Sequence, residues 1–87
     1  MNAVVTVIGK DTVGILAGVS AEVAKAQANV VEVTQSVLQD YFAMVMIIDI
    51  SKMSSDIDGL KANLEGALPS MNIHVMHEDI FNSMHRI

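Results

Sequence analysis

The first third of the chain has the pattern of a strand followed by a helix. Residues 3–8 form the β-branched run AVVTVI, which Gly9 closes, and this run predicts a buried strand ending in a turn. From Val13 to Ala28, apolar residues recur at steps of three and four, which predicts a helix. Its apolar stripe consists of Ile15, Leu16, Val19, Val23 and Ala26. We expect Asn29 to end this helix, because asparagine tolerates the left-handed conformation found at helix C-termini.

The next two segments predict an antiparallel hairpin. The run from Val30 to Leu38 alternates, with valines at positions 31, 33 and 37 on one face and polar residues on the other. Gln39 and Asp40 leave room only for a tight turn, so the strand from Tyr41 to Ile50 must run antiparallel to the one before it. This third strand is apolar on both faces, and we therefore expect both to be covered.

The last third predicts a helix, a strand and a short terminal helix. The second helix starts near Ser55, which forms a loose capping box with Asp58, and ends at Pro69. Its core stripe consists of Ile57, Leu60, Leu64 and Leu68. A fourth strand follows, in which Met71, Ile73 and Val75 alternate with other residues. The tail over residues 78–87 places Ile80, Phe81, Met84 and Ile87 on one helical face.

The order of elements predicts one α+β domain over residues 1–87. The order β-α-β-β-α-β is that of the ferredoxin-like sandwich, a four-stranded antiparallel sheet with two helices on one face, here with a C-terminal helical tail at about 78–87. Right-handed crossovers place the first and third strands at the centre of the sheet. The second apolar face of the third strand then needs a partner, or the terminal helix folding back across it.

Composition excludes several classes of function. The 87 residues contain no cysteine, which excludes disulfides, a thiol nucleophile and a cysteine-bound metal or cofactor. A net charge of −5 and three aromatic residues argue against nucleic-acid binding, and no apolar run approaches the roughly 18 residues of a membrane span. The start of the chain lacks the basic region of a signal peptide, so we expect a cytoplasmic protein.

The segment Gly9–Leu16 carries the chemistry of greatest interest. Its glycines allow close approach of the backbone to a ligand, and the start of the following helix offers N–H groups and a positive dipole end to a carboxylate. Asp11 provides a counter-charge for an ammonium group, so the segment suits a free α-amino acid. The same pattern also fits a strand-to-helix turn with a purely structural role.

The run from Gly9 to Val33, GKDTVGILAGVSAEVAKAQANVVEV, resembles the ACT domain, a small regulatory module that binds amino acids in many metabolic enzymes. The matching residues are Gly9, Asp11, Gly14, Ile15, Leu16, Ala28, Asn29 and Val30. Val13 stands where proline is common in that family. The whole chain is similar to small stand-alone ACT proteins, which are related to the ACT domains of glycine cleavage repressor-like regulators.

The resemblance implies a homodimer, or a higher homo-oligomer, that senses a small amino acid. The ligand would lie between the first-strand-to-helix loop of one subunit and a neighbouring strand of the other. The residues that the resemblance assigns to ligand binding are Gly9, Lys10, Asp11, Thr12, Val13, Gly14, Ile15, Leu16 and Asn29. Such a module would act through a regulatory protein partner and would not be an enzyme.

Two alternatives to amino-acid sensing arise from the residues themselves. The two-sided third strand and the terminal apolar stripe favour a protein-interaction module that does not bind a ligand. His74, His77 and His85 suggest a metal site, but residues three apart on a strand point to opposite faces, so we expect surface histidines. Catalysis is not expected, because Ser20 and Ser36 have no histidine near them in the sequence.

Overall fold

A computed structural model describes residues 1–10 and 14–84 as a four-stranded antiparallel sheet with two helices on one face and a short helix on the other. The elements are β1 (Asn2–Lys10), α1 (Ile15–Lys25), β2 (Asn29–Leu38), β3 (Tyr41–Asp49), α2 (Ile57–Ala67), β4 (Asn72–His77) and α3 (Glu78–Met84). The strand order β2-β3-β1-β4 places β1 and β3 at the centre. This confirms the predicted βαββαβ plan and its terminal helix.

The core lies between the sheet and the pair α1–α2. The register places alternate residues of β1 and β3 on one face, since Val5 lies opposite Met46 and Val7 opposite Met44. Helical side chains close over this face, and the buried ones are Ile15, Val19, Val23, Leu60 and Leu64. The predicted stripe of α1 is confirmed except at Leu16, which is 38% exposed and is not part of the core cluster.

The opposite face of the sheet is partly covered by α3. Val4 points away from α1 and α2, since its neighbours across the strands are Ile47 and Met76. It is nevertheless 1% exposed, and α3 packs against β1 and β4 on this side. The terminal helix therefore folds back across the sheet, which was one of the two arrangements expected. Coverage is incomplete, because Ile47 and Val45 remain half-buried.

The end of α1 corrects the prediction for Asn29. The helix stops at Lys25, and the left-handed residue is Gln27, with φ of 63°. The Gln27 N–H donates to the Ala24 carbonyl at 3.0 Å, and the Ala28 N–H donates to the Val23 carbonyl at 3.2 Å. These are the bonds of a Schellman motif, which satisfies the last helical carbonyls and buries Ala28. Asn29 instead begins β2.

Replacing Gln27 with glycine is expected to stabilise the protein by about 0.5–1 kcal/mol. A side chain at left-handed φ costs roughly 1–2 kcal/mol, which exceeds the entropy that glycine adds to the unfolded chain. Gln35→Gly is the matched control, because Gln35 lies in β2 and has no positive φ. Urea unfolding should show a higher midpoint for Gln27→Gly and a lower one for Gln35→Gly. An equal decrease in the urea midpoint of both variants would contradict the Schellman motif.

Two further local features differ from the sequence prediction. Asp56 caps α2, since its Oδ1 accepts from the Gly59 N–H at 2.7 Å, so the expected box of Ser55 and Asp58 is wrong. The Asp56 carboxylate is the group that reaches the free N–H of Gly59 in the first turn of the helix. In β2 the register shifts between Val30 and Glu32, which leaves the intervening residue as a bulge and interrupts the predicted alternation.

None of the helices in the described part of the chain has the length and apolar character needed to cross a membrane.

Candidate ligand-binding site

The predicted site lies where β1 ends and α1 begins. Lys10 closes β1 opposite Tyr41, and α1 starts at Ile15 on the helix-bearing face of the sheet. The predicted site residues Asp11, Thr12 and Val13 lie outside the described residues. The segment thus joins the end of a central strand to a helix N-terminus, as the sequence analysis predicts.

Gly9 has a packing role that the sequence did not reveal. A β-carbon at this position would lie 2.6 Å from the Met71 Sδ and 2.9 Å from its Cε. Met71 is buried, so its thioether fills the space left by the missing side chain. The absence of a side chain at Gly9 therefore leaves room for Met71 in the core. The two residues are more than sixty positions apart in the sequence, so no local pattern predicts this contact.

Gly14 has the geometry expected of a residue at a binding turn. It precedes α1 with φ of 85°, a left-handed conformation that glycine adopts without strain. Among the described residues no side chain caps this helix, and the first turn contains no acidic residue. A β-carbon at Gly14 would meet nothing within 4 Å, so this side of the turn is open. No described side chain therefore competes with an anionic group for the first N–H groups of α1.

The two apolar residues after Gly14 differ in their surroundings. The Ile15 side chain is 3% exposed and belongs to the core, so only its backbone can face a ligand. The Leu16 side chain is 38% exposed on the first turn of the helix. Of these two residues, Leu16 is the one whose side chain can contact a ligand from this chain.

Within one chain, Asn29 is far from the β1–α1 segment. It lies opposite Asp49, which in turn lies opposite Asn2 at the start of β1. The segment leaves the other end of the sheet, where Lys10 pairs with Tyr41. A nine-residue strand spans roughly 27 Å, and the two predicted parts of the site are separated by about this length. If Asn29 takes part in binding, it must do so from a second subunit.

Asp49 lies at the end of the sheet that carries Asn29, and its Oδ1 is 3.9 Å from the N-terminal ammonium nitrogen. Asp49 accepts hydrogen bonds from the Ser51 hydroxyl at 2.6 Å and from the Ser51 backbone N–H at 2.9 Å. These two donors hold the pKa of the Asp49 carboxyl below its ordinary value. The negative charge of Asp49 therefore lies on β3, directly opposite Asn29 on β2.

The histidines of β4 do not converge. His74 lies opposite Thr6 on the α3 side of the sheet, whereas His77 lies opposite Ala3 on the core side. The strand continues to His77, so the two imidazoles point to opposite faces. His85 lies outside the described residues. The residues that the structure describes contain no group of three metal-binding side chains.

A model of the ACT domain matches residues 2–78. The chain belongs to the ACT domain family. A UPF0237 protein of Listeria monocytogenes is 46% identical over 89 residues, covering 100% of both chains. A UPF0237 protein of Clostridium perfringens is 47% identical over 89 residues, with the same coverage. The resemblance inferred from the β1–α1 segment is thereby confirmed over nearly the whole chain.

Solved structures support the same assignment. An ACT domain protein from Streptococcus pneumoniae superposes on this ACT domain with a TM-score of 0.78 at 34% identity, covering 93% of each chain. A protein described as a putative glycine cleavage system transcriptional repressor superposes with a TM-score of 0.61 at 21% identity, over 85% of this chain and 43% of that one. The second likeness shows the fold alone. ACT domains are regulatory, ligand-binding modules, and this chain shares that architecture.

Proposed function

We propose that the protein is a cytoplasmic regulatory module that senses a small amino acid at a homodimer interface and acts through a partner protein. Membership of the ACT domain family supports a regulatory, ligand-binding role. The observation that carries the finer proposal is the start of α1, where left-handed Gly14 leaves helix N–H groups uncapped by any described side chain.

The chemistry of this turn suits the carboxylate of an amino acid. The uncapped N–H groups donate to the carboxylate oxygens, and the positive end of the helix dipole adds to the attraction. Leu16 offers apolar contact to the ligand side chain from the same turn. Asp11, as expected from the sequence, would pair with the ammonium group.

The edge strand β2 supports the homodimer. It is an edge of the sheet, and Val30, Val31 and Val37 are exposed on it by 45%, 57% and 57%. An edge strand presents unpaired backbone groups that a second copy can complete. The bulge leaves residues 32–38 as the straight part of the edge, so a two-fold antiparallel pair would centre on Gln35.

Such a pairing would also bring the two predicted parts of the site closer together. Antiparallel alignment of two β2 strands places Asn29 of the partner subunit beyond the Leu38 end of this one. That end of the sheet is the one from which the β1–α1 segment leaves, since Leu38 pairs with Tyr41 and Tyr41 with Lys10. Within a single chain, Asn29 and the β1–α1 segment lie at opposite ends of the sheet. This separation supports placing the ligand between subunits.

A thermal-shift screen against the twenty amino acids tests the proposal. A ligand at 100 times its Kd adds about 2.7 kcal/mol, which raises the Tm of a domain of this size by roughly ten degrees or more. We expect such a shift with one or two amino acids. Gly14→Asp should lose it, because a carboxylate at the turn competes for the helix N–H groups.

The control separates charge from backbone strain. Gly14→Asn has nearly the same size as Gly14→Asp and tolerates the left-handed conformation, but it carries no charge. It should retain more of the shift than the Asp variant. Absence of a shift with every amino acid, in a protein shown to be dimeric, would refute amino-acid sensing.

A second candidate function is a protein-interaction module without a ligand. The observation that favours it is Ile80, which is 52% exposed on α3 although α3 itself packs against the sheet. Of the predicted terminal stripe, Phe81 is half-buried, the Met84 side chain is not described and Ile87 lies outside the described residues. A wild-type protein that responds to no amino acid would favour this role.

A further inference from the structure

A second concave site lies on the α3 side of the sheet. A cavity of about 420 Å³ opens there between the three strands β1, β3 and β4 and the first turn of α3. Its apolar walls are formed by Ile8, Ala43, Val45, Met76 and Phe81. Ligand pockets are commonly 300–1,000 Å³ and mostly apolar, so both the size and the lining suit a small molecule.

This cavity is separate from the proposed amino-acid site. It lies on the face of the sheet opposite α1 and α2, whereas Gly14 precedes α1 on the helix-bearing face. Phe81 belongs to α3, most of which follows the segment matched by the ACT domain model, since that match ends at residue 78. Phe81 therefore lines the cavity from outside the matched segment, whereas the other described lining residues lie within it.

Two polar side chains interrupt the apolar lining. Thr6 and His74 both line the cavity, and they are direct cross-strand partners, so their side chains lie side by side. In the part of the chain that the structure describes, neither side chain has a hydrogen-bond partner. A hydroxyl and an imidazole thus offer hydrogen bonds at one point of an otherwise apolar surface.

We propose that this cavity binds a small, uncharged aromatic molecule carrying one hydroxyl group. The ring would contact Phe81 and Met76, since aromatic and thioether groups interact favourably with ring edges and faces. The hydroxyl would bond to Thr6 and His74. An uncharged ligand fits because the lining residues that the structure describes include no Asp, Glu, Lys or Arg, so a charge would lose hydration without gaining an ion pair from them.

An NMR titration with benzyl alcohol as the probe tests the site. We expect saturable shifts at the backbone amides of Thr6, Ala43 and His74 and only small changes at Leu16. Thr6→Val removes the hydroxyl while keeping the shape, and it should weaken the Kd by about five-fold, as expected for one lost hydrogen bond. Benzoate, which adds a charge to the same ring, should bind at least about ten-fold more weakly.

Matched variants distinguish the cavity from the rest of the surface. Thr34→Val makes the same change on the same face of the sheet, but Thr34 lies on β2 outside the cavity, so its Kd should equal that of the wild type. Ala43→Leu should fill the cavity and abolish saturable binding. Gly14→Asp should leave benzyl alcohol binding unchanged, which separates this proposal from the amino-acid site.

Three results would overturn the proposal. The first is non-saturable shifts spread over exposed apolar residues such as Val31. The second is an unchanged Kd in Thr6→Val. The third is a combination of two observations: benzyl alcohol does not bind to the wild type, and Ala43→Leu changes the mass of the protein in light scattering. This last result would identify a second copy of the chain as the occupant of this face.

Discussion

Leu64→Ala is expected to lower the free energy of unfolding by about 3 kcal/mol. Leu64 is fully buried on α2 within the core between the helices and the sheet, so its truncation removes apolar contact and leaves a cavity. An 87-residue domain has a total stability of about 5–10 kcal/mol, of which this loss is a large part. Thermal unfolding should show a Tm lower by roughly 15 degrees.

Leu16→Ala is the matched control for this loss. The same substitution on α1 removes a side chain that is already 38% exposed, and alanine favours the helix, so stability should change by less than about 0.5 kcal/mol. Similar losses in the two variants would contradict the described arrangement of α1 on the sheet. The Leu16 variant also reports on ligand contact without a confounding change in stability.

Val37→Lys is expected to convert the proposed homodimer into a monomer. Val37 is 57% exposed on β2, and an antiparallel pair centred on Gln35 would place it opposite Val33 of the partner subunit. Two-fold symmetry introduces the charge twice, at a cost of roughly 3–4 kcal/mol, so the dimer Kd should rise by several hundred-fold. Light scattering at micromolar concentration should report half the wild-type mass.

Ile80→Lys places the same charge on an apolar residue of similar exposure, 52%, but on α3. It should leave the mass at that of a dimer. The opposite pattern, with Ile80→Lys monomeric and Val37→Lys dimeric, would assign the interface to the α3 face instead. Because Asn29 is expected to come from the partner subunit, Val37→Lys should also lose the thermal shift with amino acids.

Much of the fold could be predicted because it depends on local periodicity. Steps of three and four mark α1 and α2, and alternation marks the strands, since each pattern buries one face of its element. Leu16 shows the limit of this reasoning. It lies on the predicted stripe but is 38% exposed, and exposure depends on tertiary placement. Gln27 shows a second limit, because it adopts the left-handed conformation that the sequence analysis assigns to Asn29.

The candidate site was predictable only in part. Gly14 was identified correctly as a turn residue, since glycine before an apolar helix is a local signal. The contact between Gly9 and Met71 was not predicted, because Met71 comes from a distant part of the chain. The cavity beside Phe81 was also missed, since it requires α3 to be placed on three strands at once. Contacts of this kind are set by the assembled fold.

The bulge at Val31 and the charge at Glu32 together bear on aggregation. Stacking of identical strands into fibrils is favoured by flat, uncharged segments of six or seven residues. The bulge shortens the straight edge of β2 to about that length, and Glu32 then lies at its start. Parallel in-register stacking would place each Glu32 carboxylate directly on the next, whereas antiparallel pairing places it opposite Leu38. The charge at Glu32 is thus expected to oppose parallel growth into a fibril more strongly than it opposes the proposed antiparallel pair of chains.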